Sequence, residues 1–249
     1  MQRELLALMM VLFVLVGCSP SVAPPITRPP PPSVAQDQYR TALAQGEAVY
    51  QIDAAQSLIM IRVYRGGSLA RFGHDHVVAS RDVHGFALLA KSPFKSRADI
   101  YIPLDSLSVD EPALRAEAGF DSTPSANDIE GTRHNMLFKV LQVEQFPYAI
   151  LRIDEIGGDL PDVKLGATFS LHGQTRRLGI PARVERSGSQ LRVSGKLSLR
   201  QNEYGITPYS ILGGALRVEN RLDLRFDLIG VPWKPPVSAV SDRHLSAVW

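Results

Sequence analysis

Arg221-Leu-Asp-Leu-Arg-Phe-Asp-Leu228 alternates charged and apolar residues without a break, so Leu222, Leu224, Phe226 and Leu228 share one face of an extended chain. Arg221, Asp223, Arg225 and Asp227 share the other. This is the pattern of an antiparallel strand with one wet side. Upstream the same period recurs, with Leu191, Val193, Leu197 and Leu199 set between Arg192, Ser194, Lys196 and Arg200. Less regular versions run over 57–64, 82–89, 98–104, 148–156, 164–172 and 175–184, several of them separated by Gly or Pro. The chain is thus read as about eight or nine strands. An apolar face shared by so many strands must be covered or close on itself, which requires a barrel or a sandwich.

The alternation stops between Val109 and Gln145. There the spacing of Glu111, Leu114, Arg115 and Ala118 allows one short helix, and Asp128-Ile129-Glu130 followed by Met136, Leu137, Val140 and Leu141 allows a second. Such an insertion in an all-β chain is a plug or a lid over one end.

Composition removes several function classes. At 249 residues, 45% hydrophobic and 21% charged, the chain is not disordered as a whole. With 27 basic against 25 acidic side chains it has no polybasic footprint, and nucleic acid is not an expected partner. A single cysteine excludes an intrachain disulfide or a Cys-based metal cluster. No glycine-rich phosphate loop and no Gly-x-Ser-x-Gly elbow occurs, and no cofactor is expected.

That cysteine, Cys18, closes an uncharged apolar run from Leu5 to Val16 that follows Arg3. The run is too short to span a bilayer and suits the h-region of a secretory signal. Leu15-Val16-Gly17-Cys18 resembles a bacterial lipobox, which implies cleavage after residue 17, lipidation of Cys18 and a membrane anchor. Ser19 in place of aspartate implies sorting to the outer membrane, with the domain facing the periplasm. From Ser19 to Gln36 seven prolines and no periodicity read as a polyproline II spacer reaching some 50 Å at about 3.1 Å per residue. The expected division is a signal peptide over 1–17, a lipidated linker over 18–46, a barrel over 47–230 and an unassigned tail over 231–249.

Within the barrel region the residues resemble a known family. Tyr50-x-Ile52-Asp53 with Ser57, Ile59, Ile61 and Val63 is similar to the opening strands of the YceI-like family, secreted lipocalin-like barrels that bind polyisoprenoid lipids. His134 with Val140, Leu141, Val143, Phe146 and Pro147 resembles its helix-to-strand segment, Leu171-His172-Gly173-Gln174-Thr175 its hairpin, and Tyr204-Gly205-Ile206 its late aromatic turn. Departures are present. Gln56 replaces a customary histidine, Arg65 another, Lys139 an aspartate and Gln201 an arginine, and Arg71-Phe-Gly-His-Asp-His76 stands where an ordinary second strand is usual. The resemblance implies an antiparallel up-and-down barrel of about eight strands with a short helical insertion, and as ligand an isoprenoid or quinone-type lipid.

On this reading Ile59, Ile61, Val63, Val193, Leu197, Leu224 and Phe226 line the interior, and Arg65, Arg71, His74 and His76 orient a head group at the mouth. The protein is expected to be a carrier, not an enzyme. Two alternatives stand beside it. His74 and His76, bracketing Asp75 on one face of an extended segment, could bind a metal with His84 or His134, making a hydrolase or oxidoreductase. The interior could instead be filled, leaving a structural barrel. His172, in the parity of Thr168 and Ser170, is expected to face solvent.

Overall fold

The computed structural model describes residues 28–236, apart from Asp121. Among them twelve strands form: β1 Ala48–Ile52, β2 Leu58–Gly66, β3 His76–Ser80, β4 His84–Leu89, β5 Arg97–Pro103, β6 Ser108–Val109, β7 Tyr148–Asp159, β8 Asp162–Leu171, β9 Gln174–Ser187, β10 Gln190–Arg200, β11 Ser210–Ile211 and β12 Leu216–Pro232. Every pairing is antiparallel. The order β1-β4-β5-β7-β8-β9-β10-β12 returns to β1 through Ile52↔Gly230, closing eight strands into a barrel without a free edge. β12 is long enough to serve two neighbours on one side: its start pairs with β2 (Leu224↔Ile61) and its end with β1. β2 in turn carries β3, and β3 carries β6.

The period-two reading sets the wall. Leu191, Ile180, Leu165, Ile153 and Ile100 come from five different strands and pack together inside it. Ala167 and Ala98 keep the wall thin between them. On the outer face, cross-strand pairs such as Arg192 with Asp227 and Arg183 with Asp162 stay in water, where each contributes at most about 1 kcal/mol.

Helix α1, Gln36–Ala44, precedes the barrel, and the break in periodicity becomes two more helices, α2 Pro112–Ala118 and α3 Ala126–His134, the latter running into a π-helical turn over Asn135–Val140. Pro112 at the first turn starts α2, and Gly119 in the left-handed region ends it. Ser125 caps α3, taking the Asp128 N–H while the Asp128 carboxylate takes the Ser125 N–H. Leu137 of the π-turn is fully buried with Val143, Leu104 and Leu107, and this layer covers one end of the barrel.

Two expectations about the ends of the domain are corrected. The linker does not run to residue 46, because Gln36–Ala44 forms helix α1, whose Tyr39 and Ala42 are buried against Phe86 and Leu88 on the outside of β4. Trp233, in the stretch left unassigned, packs edge-on against Phe86 at 4.7 Å. An apolar patch on the outer face of β4 explains both, since Phe86 and Leu88 would otherwise be wet. Nor does the spacer stand free from residue 28 onward. Arg28 pairs with Asp105 at 2.6 Å, and the Tyr148 hydroxyl donates to the Pro29 carbonyl at 2.7 Å. The signal run, Cys18 and residues 237–249 lie outside the described residues.

The candidate binding cavity

Inward-facing side chains leave space along the barrel axis. A cavity of about 420 Å³ runs from Leu228 and Gly230 at one end to Met136, Tyr209 and Arg217 at the other. A barrel of eight strands can be filled or hold one slender ligand, and this one is not filled. Mostly aliphatic side chains line it: Ile59, Ile61 and Val63 from β2, Val193 and Leu197 from β10, and Leu224 from β12, with the aromatic Phe226 of β12 beside them. Gly195, opposite Phe226, allows the phenyl ring to lie against the wall; a Cβ there would stand 2.6 Å from the ring.

The polar groups are few and concentrated at the mouth. Arg65, His74 and His76 line the cavity, as does Gln201, whose amide donates to the Glu219 carbonyl at 2.9 Å. Arg71 does not line it. Its guanidinium instead lies over the Phe72 ring at 4.6 Å on the outer rim, because the short helical turn Ala70–Phe72 points it away.

His76 is held from behind. Its Nδ1 lies 2.7 Å from Asp110 Oδ2, which assigns the ring proton to Nδ1 in the neutral imidazole and leaves Nε2 as acceptor. Asp110 also accepts the Val77 N–H at 2.9 Å and Arg115 Nη1 at 2.6 Å. Burial alone would raise the Asp110 carboxyl, yet the hydrogen bonds from His76, Val77 and Arg115 outweigh it and hold the group below the usual carboxylate range. Asp110 adopts φ of 57°, a left-handed conformation that aims its side chain back under β3. Arg115 finishes the assembly, donating to the Asp75 carbonyl at 2.7 Å and the Ser122 carbonyl at 2.6 Å. Asp75 accepts the Arg65 N–H at 2.9 Å, so the loop joining β2 to β3 is tied on both sides.

His74 stands 6.3 Å from His76, ring centre to ring centre, and its Nδ1 is buried without a protein partner. Ser80 Oγ, in the wall near the far end, is also buried and unpartnered. These two polar atoms, left open on a mostly apolar wall, are positions where a guest can hydrogen-bond. Sequence periodicity identifies Ser80 only once β3 is known to exist. Asp110 and Arg115 carry no local signal at all, being 34 and 39 residues beyond His76 in sequence.

The other described histidines lie apart. His84 faces outward, stacked on Tyr101 at 5.0 Å with Nε2 on Asp82, and His134 packs on Phe138 along α3. Among the described residues no three metal-ligating side chains converge. His172 also departs from expectation: it turns the β8–β9 hairpin with φ of 50°, packs on Phe146 at 4.4 Å, and buries its Nε2.

A closed antiparallel barrel, capped by helices and open along its axis, is now defined together with its polar mouth. A family model for the YceI-like domain matches residues 50–229. The chain belongs to the YceI-like family. Two solved structures resemble it in fold over most of their length. Burkholderia cenocepacia BcnA superposes with a TM-score of 0.53 at 11% identity, over 72% of this chain and 98% of that one. A polyisoprenoid-binding domain from Saccharophagus degradans, implicated in plant cell wall breakdown, gives 0.53 at 14% identity, over 75% and 99%. Comparison with curated protein sequences returns no significant match. At these identities the likeness concerns the YceI-like fold, and the guest has to be argued from the cavity itself.

Proposed function

We propose that this YceI-like protein is a lipid-anchored binding protein of the bacterial envelope, facing the periplasm from the outer membrane. It sequesters or carries a slender apolar chain of the polyisoprenoid or quinone type. The apolar cavity ending at a histidine-bearing mouth carries the reading. Each methylene moved from water into such a wall gains about 0.8 kcal/mol, so ten carbons offset the ordering cost of binding. The head group then lies at Arg65, His74 and His76. A polyisoprenoid-binding relative of the same fold supports this class of guest.

Native mass spectrometry of the protein purified from its own envelope tests the reading: a lipid adduct is expected, and repeated purification without one overturns it. The head-group end has its own test. His74→Ala removes one hydrogen-bonding atom, worth about 1 kcal/mol, and should weaken retention of the guest several-fold with the far-UV spectrum unchanged. Unchanged retention would return His74 to a purely structural role. For the anchor, Cys18→Ser should abolish labelling by radioactive fatty acid; a mutant that labels normally refutes lipidation at that residue.

A further inference from the structure

Five large apolar side chains are exposed among the described residues, and three of them, Phe72, Ile211 and Leu212, gather at the mouth. They project from two segments that are bound to each other. Leu69 N–H donates to the Ala215 carbonyl at 2.8 Å, and Gly67, with φ of 91°, approaches so closely that a Cβ would meet the Ala215 oxygen at 2.3 Å. Leu212 itself has φ of 52° and is followed by two glycines of positive φ, a backbone that holds its side chain outward at 69% exposure. The rim is therefore built, and Ile211 belongs both to it and to the cavity wall.

Cations accompany these side chains. Arg71 lies over Phe72, and Lys139 over Tyr209 at 5.8 Å; neither has a carboxylate partner within 4 Å among the described residues. Arg65 and Arg217 stand beside them with Asp75 and Glu219 as partners. Of these six charged side chains four are cations and two are carboxylates. The first described residue also lies at this end: Arg28 is fastened to Asp105, next to Leu104 and Leu107 of the cavity lining. Ten residues separate Arg28 from Cys18, a reach of at most about 35 Å.

We infer that the Phe72, Ile211 and Leu212 rim docks into the headgroup region of a bilayer containing anionic lipid, holding the barrel mouth-down so that the guest passes between membrane and cavity without crossing water. Apolar tips flanked by arginine and lysine are the composition that sits at this boundary. The inference rests on the carrier reading, and its tether argument on lipidation of Cys18. The rim meets the cavity wall at Ile211, whereas Phe72 and Leu212 do not line the cavity.

The test uses the full-length lipidated chain reconstituted in vesicles of phosphatidylcholine and phosphatidylglycerol in a three-to-one ratio. Leu212→Trp should be quenched by brominated lipid several-fold more than Phe94→Trp, which places the probe on an exposed hairpin at the opposite end of the barrel. A double change, Phe72→Asp with Leu212→Asp, should slow transfer of guest between vesicles and protein about tenfold or more while leaving the amount retained by preloaded protein unchanged. Equal quenching at both positions, or transfer that ignores the double change, overturns the docking rim even where a guest is bound. Cross-linking of position 212 to a second polypeptide, with no lipid quenching, assigns the rim to a protein partner and also overturns it. Failure of the carrier reading is told apart by native mass spectrometry, which then finds no guest in the unaltered chain.

Discussion

Val193→Trp is expected to empty the barrel of its guest while leaving the barrel standing. Val193 lies near the start of β10, opposite Leu228 of β12 and Val184 of β9 toward the inner end of the cavity, and its side chain projects into the cavity. In a filled core an indole at this position would overpack and cost about 1–3 kcal/mol of stability. Here the ring enters space that is open, so the strain falls toward the low end. The guest loses what the ring takes. Excluding about five methylenes removes about 4 kcal/mol of transfer free energy, roughly a thousandfold in affinity. Native mass spectrometry should show the adduct in the parent and not in the variant, and thermal unfolding should stay cooperative with a shift of a few degrees. Arg192→Trp, on the wet face of the same strand, is the control and should retain the adduct. A Val193→Trp protein that is folded and still carries its lipid would place the guest outside the cavity.

The second large effect concerns stability. Asp110→Ala should destabilise the domain by about 3–5 kcal/mol at neutral pH, because it leaves the Arg115 guanidinium, 8% exposed, without its buried carboxylate. It also strips the Val77 N–H of its acceptor and the His76 ring of its support. Asp110→Asn separates charge from shape. Asparagine tolerates the left-handed backbone at φ of 57° better than alanine, so the Asn variant isolates the loss of charge.

The pH dependence has a definite sign. The folded-state pKa of Asp110 is depressed below its ordinary value of 3.8, so the stabilisation is complete above that value and is lost as pH falls through the folded pKa. The gap between parent and Asp110→Asn should therefore be full at pH 7 and shrink below about pH 4, as read from urea unfolding at each pH. An Asp110→Ala domain within about 1 kcal/mol of the parent would show that Arg115 finds other support.

Several features were legible in the chain before any tertiary contact was known. Alternation in 191–200 and 221–228 placed Val193, Leu197, Leu224 and Phe226 on one face, and all four line the cavity. The same holds for Ile59, Ile61 and Val63. The loss of period between Val109 and Gln145 located the helical cap. These readings succeed because a strand's two faces are set by i, i+2 geometry, which is local, and because a shared apolar face leaves closure as one of few outcomes.

What depended on register was beyond local reading. His74 and His76 reach the mouth while His84, eight residues after His76, faces out and His134 lies along a helix away from them, because the turn between β3 and β4 and the path of the insertion decide where each ring arrives. Arg71 resembled a mouth residue in sequence and became a rim residue through a single helical turn. The docking of α1 and Trp233 on one outer patch joins segments almost 200 residues apart, and neither carries a strong pattern alone. The buried Arg115–Asp110–His76 assembly was the least visible in sequence. Its members come from a helix, a left-handed junction and a strand, and a charge removed from water is stable only where all its partners arrive together, which is a property of the folded chain and not of any segment.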